Sequence, residues 1–317
     1  MFCVTGATGF VGRHLVRSLA QLDLGPVSCL VREPGTGETS GAENVTFLKG
    51  DMHDPVALNK LAMAGNIMVN LAFSHDLSAA ENLAGARKLI NACANTNIRR
   101  LIHISTAAVI GRTPANWVDE NTPCQPVSDY EHVKLEIEKI LLTAHDKVDV
   151  VIVRPTAIFG AGGRNLVKLA TEISVNEKFH GYLRACFHGK RAMNLVSVEN
   201  VVAAISHLAL LPENPSGRIF NVADDDAIAN NYEAVEARLL HAFNRPPRSL
   251  PVLRLPPPLQ QIGLRLAGRP NIYPQRRYSC SKLLSSGFKR PVDFETALDR
   301  YATYLVDQFT RYGKVRG

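Results

Sequence analysis

Tyr130 and Lys134 stand four residues apart in a segment with helical spacing, which puts both side chains on one face. A tyrosine with an ordinary pKa of about 10 is a poor acid–base group at neutral pH, and an adjacent ammonium favours its phenolate. Lys134 can therefore tune Tyr130 while also holding a bound ribose. Thr106 lies 24 residues before Tyr130, at the end of the apolar run Arg100–Ser105. A hydroxyl there, from Thr106 or from Ser105 one place earlier, can bond a substrate oxygen whose charge develops during hydride transfer.

Near residue 1, Gly6-x-x-Gly9-x-x-Gly12 follows an apolar run and opens a helical pattern, in the turn Thr5-Gly6-Ala7-Thr8-Gly9-Phe10-Val11-Gly12. Gly6 permits a tight turn, Gly9 lets the backbone approach a pyrophosphate, and Gly12 lets helix and strand pack closely. The helix N-terminus adds N–H groups and a positive dipole end. Arg32 ends the second strand, where many NAD-binding sheets carry an acid. A guanidinium can pair with a 2′-phosphate that a carboxylate would repel, so NADP(H) is the preferred cofactor and NAD(H) the alternative. Arg13 offers a second donor.

The elements that must position these groups alternate regularly. Strands are expected at Met1–Thr5, Val27–Val31, Val45–Gly50, Ile67–Ala72, Arg100–Ser105 and Val148–Arg154, with helices at Gly12–Leu22, Pro55–Ala62, Leu77–Thr96 and Asp129–His145. That order specifies an α/β protein: a Rossmann-like doubly wound parallel sheet over residues 1–155, with 193–222 returning to it. After Pro155 come strands at Met193–Val198 and Arg218–Val222, helices at Glu199–Leu211, Tyr232–Phe243 and Phe294–Phe309, and a proline-rich hinge at Pro246–Pro258. Residues 156–317 are expected to form mainly a smaller substrate-binding lobe at the carboxyl edge of the sheet. The Leu- and Pro-rich stretch Leu253–Gly268 reads as core packing in preference to a membrane-surface helix.

Composition narrows the classes further. With 46% hydrophobic and 21% charged residues the chain is of ordinary globular type. No apolar stretch reaches the roughly 18 residues of a membrane span, and residues 1–5 run straight into the glycine turn, so a cytoplasmic protein is expected. Six scattered cysteines without a C-x-x-C pair argue against a zinc site or a disulfide framework, and no metal is expected. The formal charge of +7 suits a phosphorylated small molecule better than nucleic acid, because no Lys/Arg block accompanies it.

Further residues join the turn and the Thr106, Tyr130, Lys134 set. They are Gly50-Asp51, Asn70-Leu71-Ala72, Asn82 with Gly85, Ser105 through Gly111, Pro123-x-x-Pro126, Arg154-Pro155 through Phe159-Gly160, and Asn221-Val222. Over nearly its whole length the chain thereby resembles the extended short-chain dehydrogenase/reductase family, and within it the nucleotide-sugar epimerases, dehydratases and 4-ketoreductases. The resemblance implies Tyr130 as acid–base catalyst, Lys134 as the ribose-binding and tuning residue, and Thr106 as third member. It also implies that Thr8, Phe10 and Val11 line the phosphate turn, that Asp51 and Met52 flank the adenine, and that Leu71 and Ala72 lie beside the cofactor. Asn165 and Arg269 match positions that contact a substrate diphosphate in nucleotide-sugar members. Met193 falls where an Arg is common, which leaves Arg191, Arg276 or Arg277 to supply that charge. Val133, Ile110 and Ala157 depart from a usual serine, tyrosine and asparagine.

Ser74 and His75 follow the fourth strand and are expected to shape the substrate pocket, where a histidine can also assist proton transfer. The favoured function is NADP(H)-dependent reduction of a keto group on a nucleotide-activated sugar. A 4-epimerase that keeps NAD bound, and a non-catalytic NAD(P)-binding regulatory protein, are the alternatives. Dehydration is disfavoured because Ala107-Ala108 replaces the acidic pair it needs. The resemblance further implies a homodimer through the helices Leu77–Thr96 and Asp129–His145.

Overall fold

A computed structural model of the chain describes residues 1–22, 24–33, 43–63, 65, 67–96, 98–175, 178–212, 218–247, 253–269 and 271–313. Part of the expected hinge Pro246–Pro258 falls outside the described residues. The chain opens with β1 (Phe2–Thr5), α1 (Phe10–Gln21), β2 (Val27–Val31), β3 (Val45–Lys49), α2 (Pro55–Met63), β4 (Ile67–Asn70) and α3 (Ala79–Ala94). It continues through β5 (Arg100–Ile104), β6 (Trp117–Val118), α4 (Asp129–Leu142), β7 (Asp149–Pro155), β8 (Ala157–Phe159), α5 (Val167–Ser174) and α6 (Lys178–His188). Then come β9 (Leu195–Ser197), α7 (Val198–Leu210), β10 (Arg218–Val222), α8 (Tyr232–Ala242), α9 (Pro257–Leu266), β11 (Arg277–Tyr278), α10 (Ser281–Ser285) and α11 (Phe294–Tyr312).

These elements divide into two compact units. The first holds Met1–Val109, Val127–Arg154 and Val202–Phe220. Its sheet runs β10-β7-β5-β4-β1-β2-β3, and the pairs from β7 to β3 are parallel. Strands β1, β4 and β5 are buried at every residue, as expected for strands covered by crossover helices on both faces. The strand order reverses around β1, which pairs with both β2 and β4, so a ligand crevice is expected at the carboxyl ends of these strands. Leu61, Met68, Leu89, Leu101 and Ile152 form part of the core behind them. At the opposite end of β5, buried Arg100 donates to Asp149 and to the carbonyls of Leu208, Ala209 and Leu211, closing the C-terminus of α7 with a cation.

The second unit holds Ile110–Pro126, Pro155–Val201 and Asn221–Gly317. Phe159, Val235, Leu239, Phe294, Leu298 and Tyr301 lie in its core. Two small parallel pairs, β8 with β9 and β6 with β11, fix its loops.

Most expected elements of the first unit form within a residue or two of their sequence bounds. Two readings change. The run Met193–Val198 is a strand only at Leu195–Ser197, and it pairs with β8 instead of returning to the main sheet, whereas Arg218–Val222 does take the sheet edge. Leu253–Gly268 packs on one side only: it contains α9, which starts with Pro at its first turn, buries Gln260 and Leu264 and leaves Leu259, Ile262 and Leu266 exposed. Of the six cysteines, all free, Cys3, Cys29, Cys93 and Cys280 are buried, but Cys124 and Cys186 are only half-buried.

Candidate active site

The glycine turn is built by close approach. Gly6 has φ +72, and a Cβ there would lie 2.8 Å from the Ala72 nitrogen, so only glycine fits against the end of β4. A Cβ on Gly12 would lie 2.1 Å from the Gly6 carbonyl oxygen. Gly9 caps α1 without any side-chain hydrogen bond, which leaves the first N–H groups of α1, from Phe10, Val11 and Gly12, for an anion. A bulkier chain would fill this cradle, and the residues present fit a dinucleotide pyrophosphate. Thr8 is exposed on its rim. Leu71 N–H donates to the Thr5 carbonyl, which draws Leu71 and Ala72 beside the turn. Asp51 Oδ1 accepts the His53 N–H at 2.7 Å, holding Asp51 and Met52 in a tight bend after β3. Arg13 and Arg32 are both exposed, with no ion-pair partner among the described residues.

Helix α4 starts with a capping box. Ser128 accepts the Glu131 N–H, and the Glu131 carboxylate accepts the N–H groups of Ser128 and Val127. Tyr130 is thereby fixed in the first turn, with Lys134 one turn further on. Thr106 hydrogen-bonds the Tyr130 phenol, and its hydroxyl accepts the Ala108 N–H at 3.2 Å. The Ser105 hydroxyl is buried and has no hydrogen-bond partner among the described residues. Burial holds Tyr130 above its ordinary pKa; the bond from Thr106 opposes the rise and the Glu131 carboxylate adds to it. The phenol is therefore protonated at neutral pH.

Lys134 is 4% exposed and donates to the Ile104 carbonyl at 2.9 Å, with its ammonium 4.9 Å from the Phe73 ring centre. Burial presses its pKa down to about 8, and the carboxylate of Glu138 opposes the fall. Beneath it lies a polar chain that the sequence pattern does not reveal: Thr5 donates to Asn70 at 2.6 Å, and the Asn70 amide meets His103 Nδ1 at 2.9 Å. Burial, then the Lys134 charge, hold His103 well below its ordinary pKa.

His75 stacks on Tyr130 with ring centres 5.4 Å apart, and Phe73 meets Tyr130 edge-on at 5.2 Å. Asn82 shapes this loop, since its amide donates to the carbonyls of Ser74, Leu77 and Ser78. The structure thus gathers Thr106, Tyr130, Lys134 and His75, and adds Phe73, which spacing gives no reason to select. Glu138 also joins unannounced, although it continues the row Tyr130, Lys134 at the same interval of four.

In the second unit, Asn165 donates to the Ile158 carbonyl at 2.7 Å, and Tyr301 donates to the backbone carbonyl of Asn165. Arg191 lies beside His188, with Nη1 3.4 Å from Nδ1. Burial pushes His188 down to about 4, and Arg191, Arg184 and Arg269 add to the fall. Burial and then Arg269 also lower Arg191. Arg184 is paired with Glu172, so Arg191 and Arg269 supply positive charge with no carboxylate among the described residues to balance it. Arg276 and Arg277 are not free for a substrate. Arg276 is fully buried and donates to the carbonyls of Gly111, Thr113 and Ala115, while Arg277 donates to the Asp225 carbonyl. Arg191 is what remains of the three.

The family model described as "NAD dependent epimerase/dehydratase family" matches residues 2–223. An uncharacterized protein, y4nG of Sinorhizobium fredii, is 31% identical over 182 residues, which span 52% of this chain but only 43% of that protein. N-acetyl-alpha-D-glucosaminyl-diphospho-ditrans,octacis-undecaprenol 4-epimerase of Escherichia coli O157:H7 is 25% identical, over 94% of this chain and 93% of its own. Among solved structures, dTDP-glucose 4,6-dehydratase of Bacillus anthracis, in complex with NAD, superposes with TM-score 0.73 at 16% identity, covering 96% of this chain and 95% of that one.

Proposed function

From its place in the NAD dependent epimerase/dehydratase family, to which this chain belongs, we propose that it reduces a keto group on a nucleotide-activated sugar, with NADPH as reductant. One observation carries this reading: a protonated Tyr130, bonded by Thr106, stands on α4 beside Lys134. A ketone gaining a hydride becomes an alkoxide, which needs a proton donor at once, and a phenol held above its ordinary pKa arrives loaded for that direction. Thr106 orients the forming oxygen, and Lys134 holds the ribose and stabilises negative charge on Tyr130 after the proton has left. A nicotinamide dinucleotide held by its pyrophosphate at the glycine turn would supply the hydride. Arg32, with Arg13, takes the adenosine 2′-phosphate, and Arg191 with Arg269 takes the sugar's diphosphate.

A second reading, 4-epimerisation with retained NAD, is favoured by the Escherichia coli relative, which matches nearly end to end. The two separate by stoichiometry. Purified protein is incubated with a panel of nucleotide-linked 4-keto sugars and NADPH, and with the corresponding 4-hydroxy sugars and NAD. One NADPH consumed per alcohol formed supports reduction. Inversion at the 4-position without net change in the cofactor overturns it in favour of the epimerase. Measured dissociation constants that favour NADH over NADPH would remove Arg32 from the assignment.

A further inference from the structure

The excess positive charge is not evenly placed. From Ala237 to Val292 there is no Asp or Glu, and the stretch carries eleven Lys and Arg. Several of these are bound internally, Arg276 and Arg277 among them, but Arg265 on α9 is exposed and has no ion-pair partner among the described residues. Arg254 is exposed just before α9 and is paired with Glu233, and Lys190 is exposed in the turn after α6. Gly189, in that same turn, sits against Arg254: a Cβ there would lie 3.4 Å from its Cγ.

Helix α9 has two distinct faces. Gln260 and Leu264 are buried, and a Cβ on Gly263 would lie 2.6 Å from the Phe187 ring, so this side is docked on α6. The Leu255 N–H donates to the Cys186 carbonyl and pins the entry to the helix on the same partner. On the other side Leu259, Ile262 and Leu266, spaced three and four apart, are 52%, 56% and 84% exposed. Leu253 is 74% exposed before the helix, and Leu183 on α6 is 50% exposed. Three aliphatic side chains along one face of a held helix, flanked by the Arg265 guanidinium, are costly to leave in water and suit a surface that is anionic outside and apolar beneath.

We propose that α9, with the basic residues around it, is a docking face for an anionic lipid bilayer. The helix lies flat, Leu259, Ile262 and Leu266 enter the acyl boundary, and Arg265 meets the headgroup phosphates. With ten residues α9 spans about 15 Å, which fits the plane of an interface and is far too short to cross it. A second copy of the chain suits this face poorly, because a self-complementary contact brings Arg265 and its neighbours against their own charge. Nucleic acid would use the arginines and leave the three aliphatic chains unburied. The inference is independent of the reaction proposed above.

The test is co-sedimentation of the full chain with vesicles of phosphatidylcholine alone and of phosphatidylcholine with one-third phosphatidylglycerol. Wild type is compared with Leu259→Gln/Ile262→Gln/Leu266→Gln and with Arg265→Gln. Wild type is expected to bind the anionic vesicles, more weakly as salt rises. The triple variant should bind at least about tenfold less, with an unchanged unfolding midpoint because the replaced side chains face solvent. No binding to anionic vesicles, or equal binding by the triple variant, overturns the proposal. Light scattering that shows a dimer in wild type and a monomer in the triple variant overturns it in favour of a subunit contact. Duplex DNA binding that only Arg265→Gln weakens overturns it in favour of a nucleic acid surface.

Discussion

Glu138→Gln removes the carboxylate from an ion pair in which both partners are buried, Arg154 at 3% exposure and Glu138 at 1%. The contact is forked: Arg154 Nε donates to Oε1 at 2.9 Å and Nη2 donates to Oε2 at 2.5 Å. Gln keeps the shape and one acceptor oxygen but leaves the guanidinium without a countercharge. Breaking a buried pair from one side costs about 3–5 kcal/mol. At roughly 2–4 °C per kcal/mol for a unit of this size, the melting temperature should fall on the order of 10 °C in calorimetry. The double change Glu138→Leu/Arg154→Met removes both charges and keeps apolar volume, so it should melt closer to wild type than the single variant. A loss under about 1 kcal/mol in the single variant, or a double variant no more stable than the single, refutes the reasoning that uncompensated charge carries the cost.

The same substitution has a kinetic signature. Glu138 is the group that opposes the fall of the Lys134 pKa. Without it the ammonium is lost at lower pH, so an alkaline limb of kcat/KM that follows Lys134 should move to lower pH than in wild type. A limb that stays in place would reduce Glu138 to a purely structural anchor of α4.

Tyr130→Phe should retain NADPH binding, measured by fluorescence titration, while kcat falls at least about a hundredfold; full activity would remove the phenol from the mechanism. Lys134 has a folded pKa of about 8 against an ordinary 10.5, so between these values the unfolded chain binds more protons and stability rises with pH. Below about pH 8 the full cost of the buried ammonium is present, so Lys134→Met should be more stable than wild type at pH 7 in urea melts, by ~1–3 kcal/mol, and the difference should close toward pH 10.5. Arg276→Met takes the donor from three carbonyls in the segment Gly111–Ala115, and unfolding in guanidinium chloride should show a loss of ~3 kcal/mol or more. A loss under about 1 kcal/mol would mean those carbonyls find other donors.

The first unit was legible because its signals are local and periodic. β1 and its glycine turn are specified by three apolar residues before Thr5 and by contacts that exclude a Cβ at Gly6 and Gly12, and such constraints leave a fixed spacing in the sequence. Tyr130 and Lys134 were legible for the same reason. The second unit was not. Met193–Val198 alternates like a sheet strand, yet its partner is the three-residue β8, a pairing set by tertiary packing and not by pattern. Arg276 and Arg277 look identical in sequence to Arg191, and only the tertiary structure shows that the first two donate to backbone carbonyls while Arg191 lies beside His188. Leu259, Ile262 and Leu266 read as core by type, but the side of α9 that docks is chosen by Gly263, which lets Phe187 approach.

The row Tyr130, Lys134, Glu138 ties these two kinds of information together. Helical geometry places the three on one face, and sequence alone gives that much. What it does not give is the gradient along the row: a half-buried phenol beside Thr106, then a buried ammonium against the Ile104 carbonyl, then a carboxylate locked to Arg154 on β7. Each step inward is less hydrated than the one before, so the charge on Lys134 is sustained from the interior by Glu138 and not from solvent. A residue deeper in the fold than Lys134 thereby acts on the Lys134 charge, so an ion pair that looks purely architectural also carries an electrostatic effect along the row.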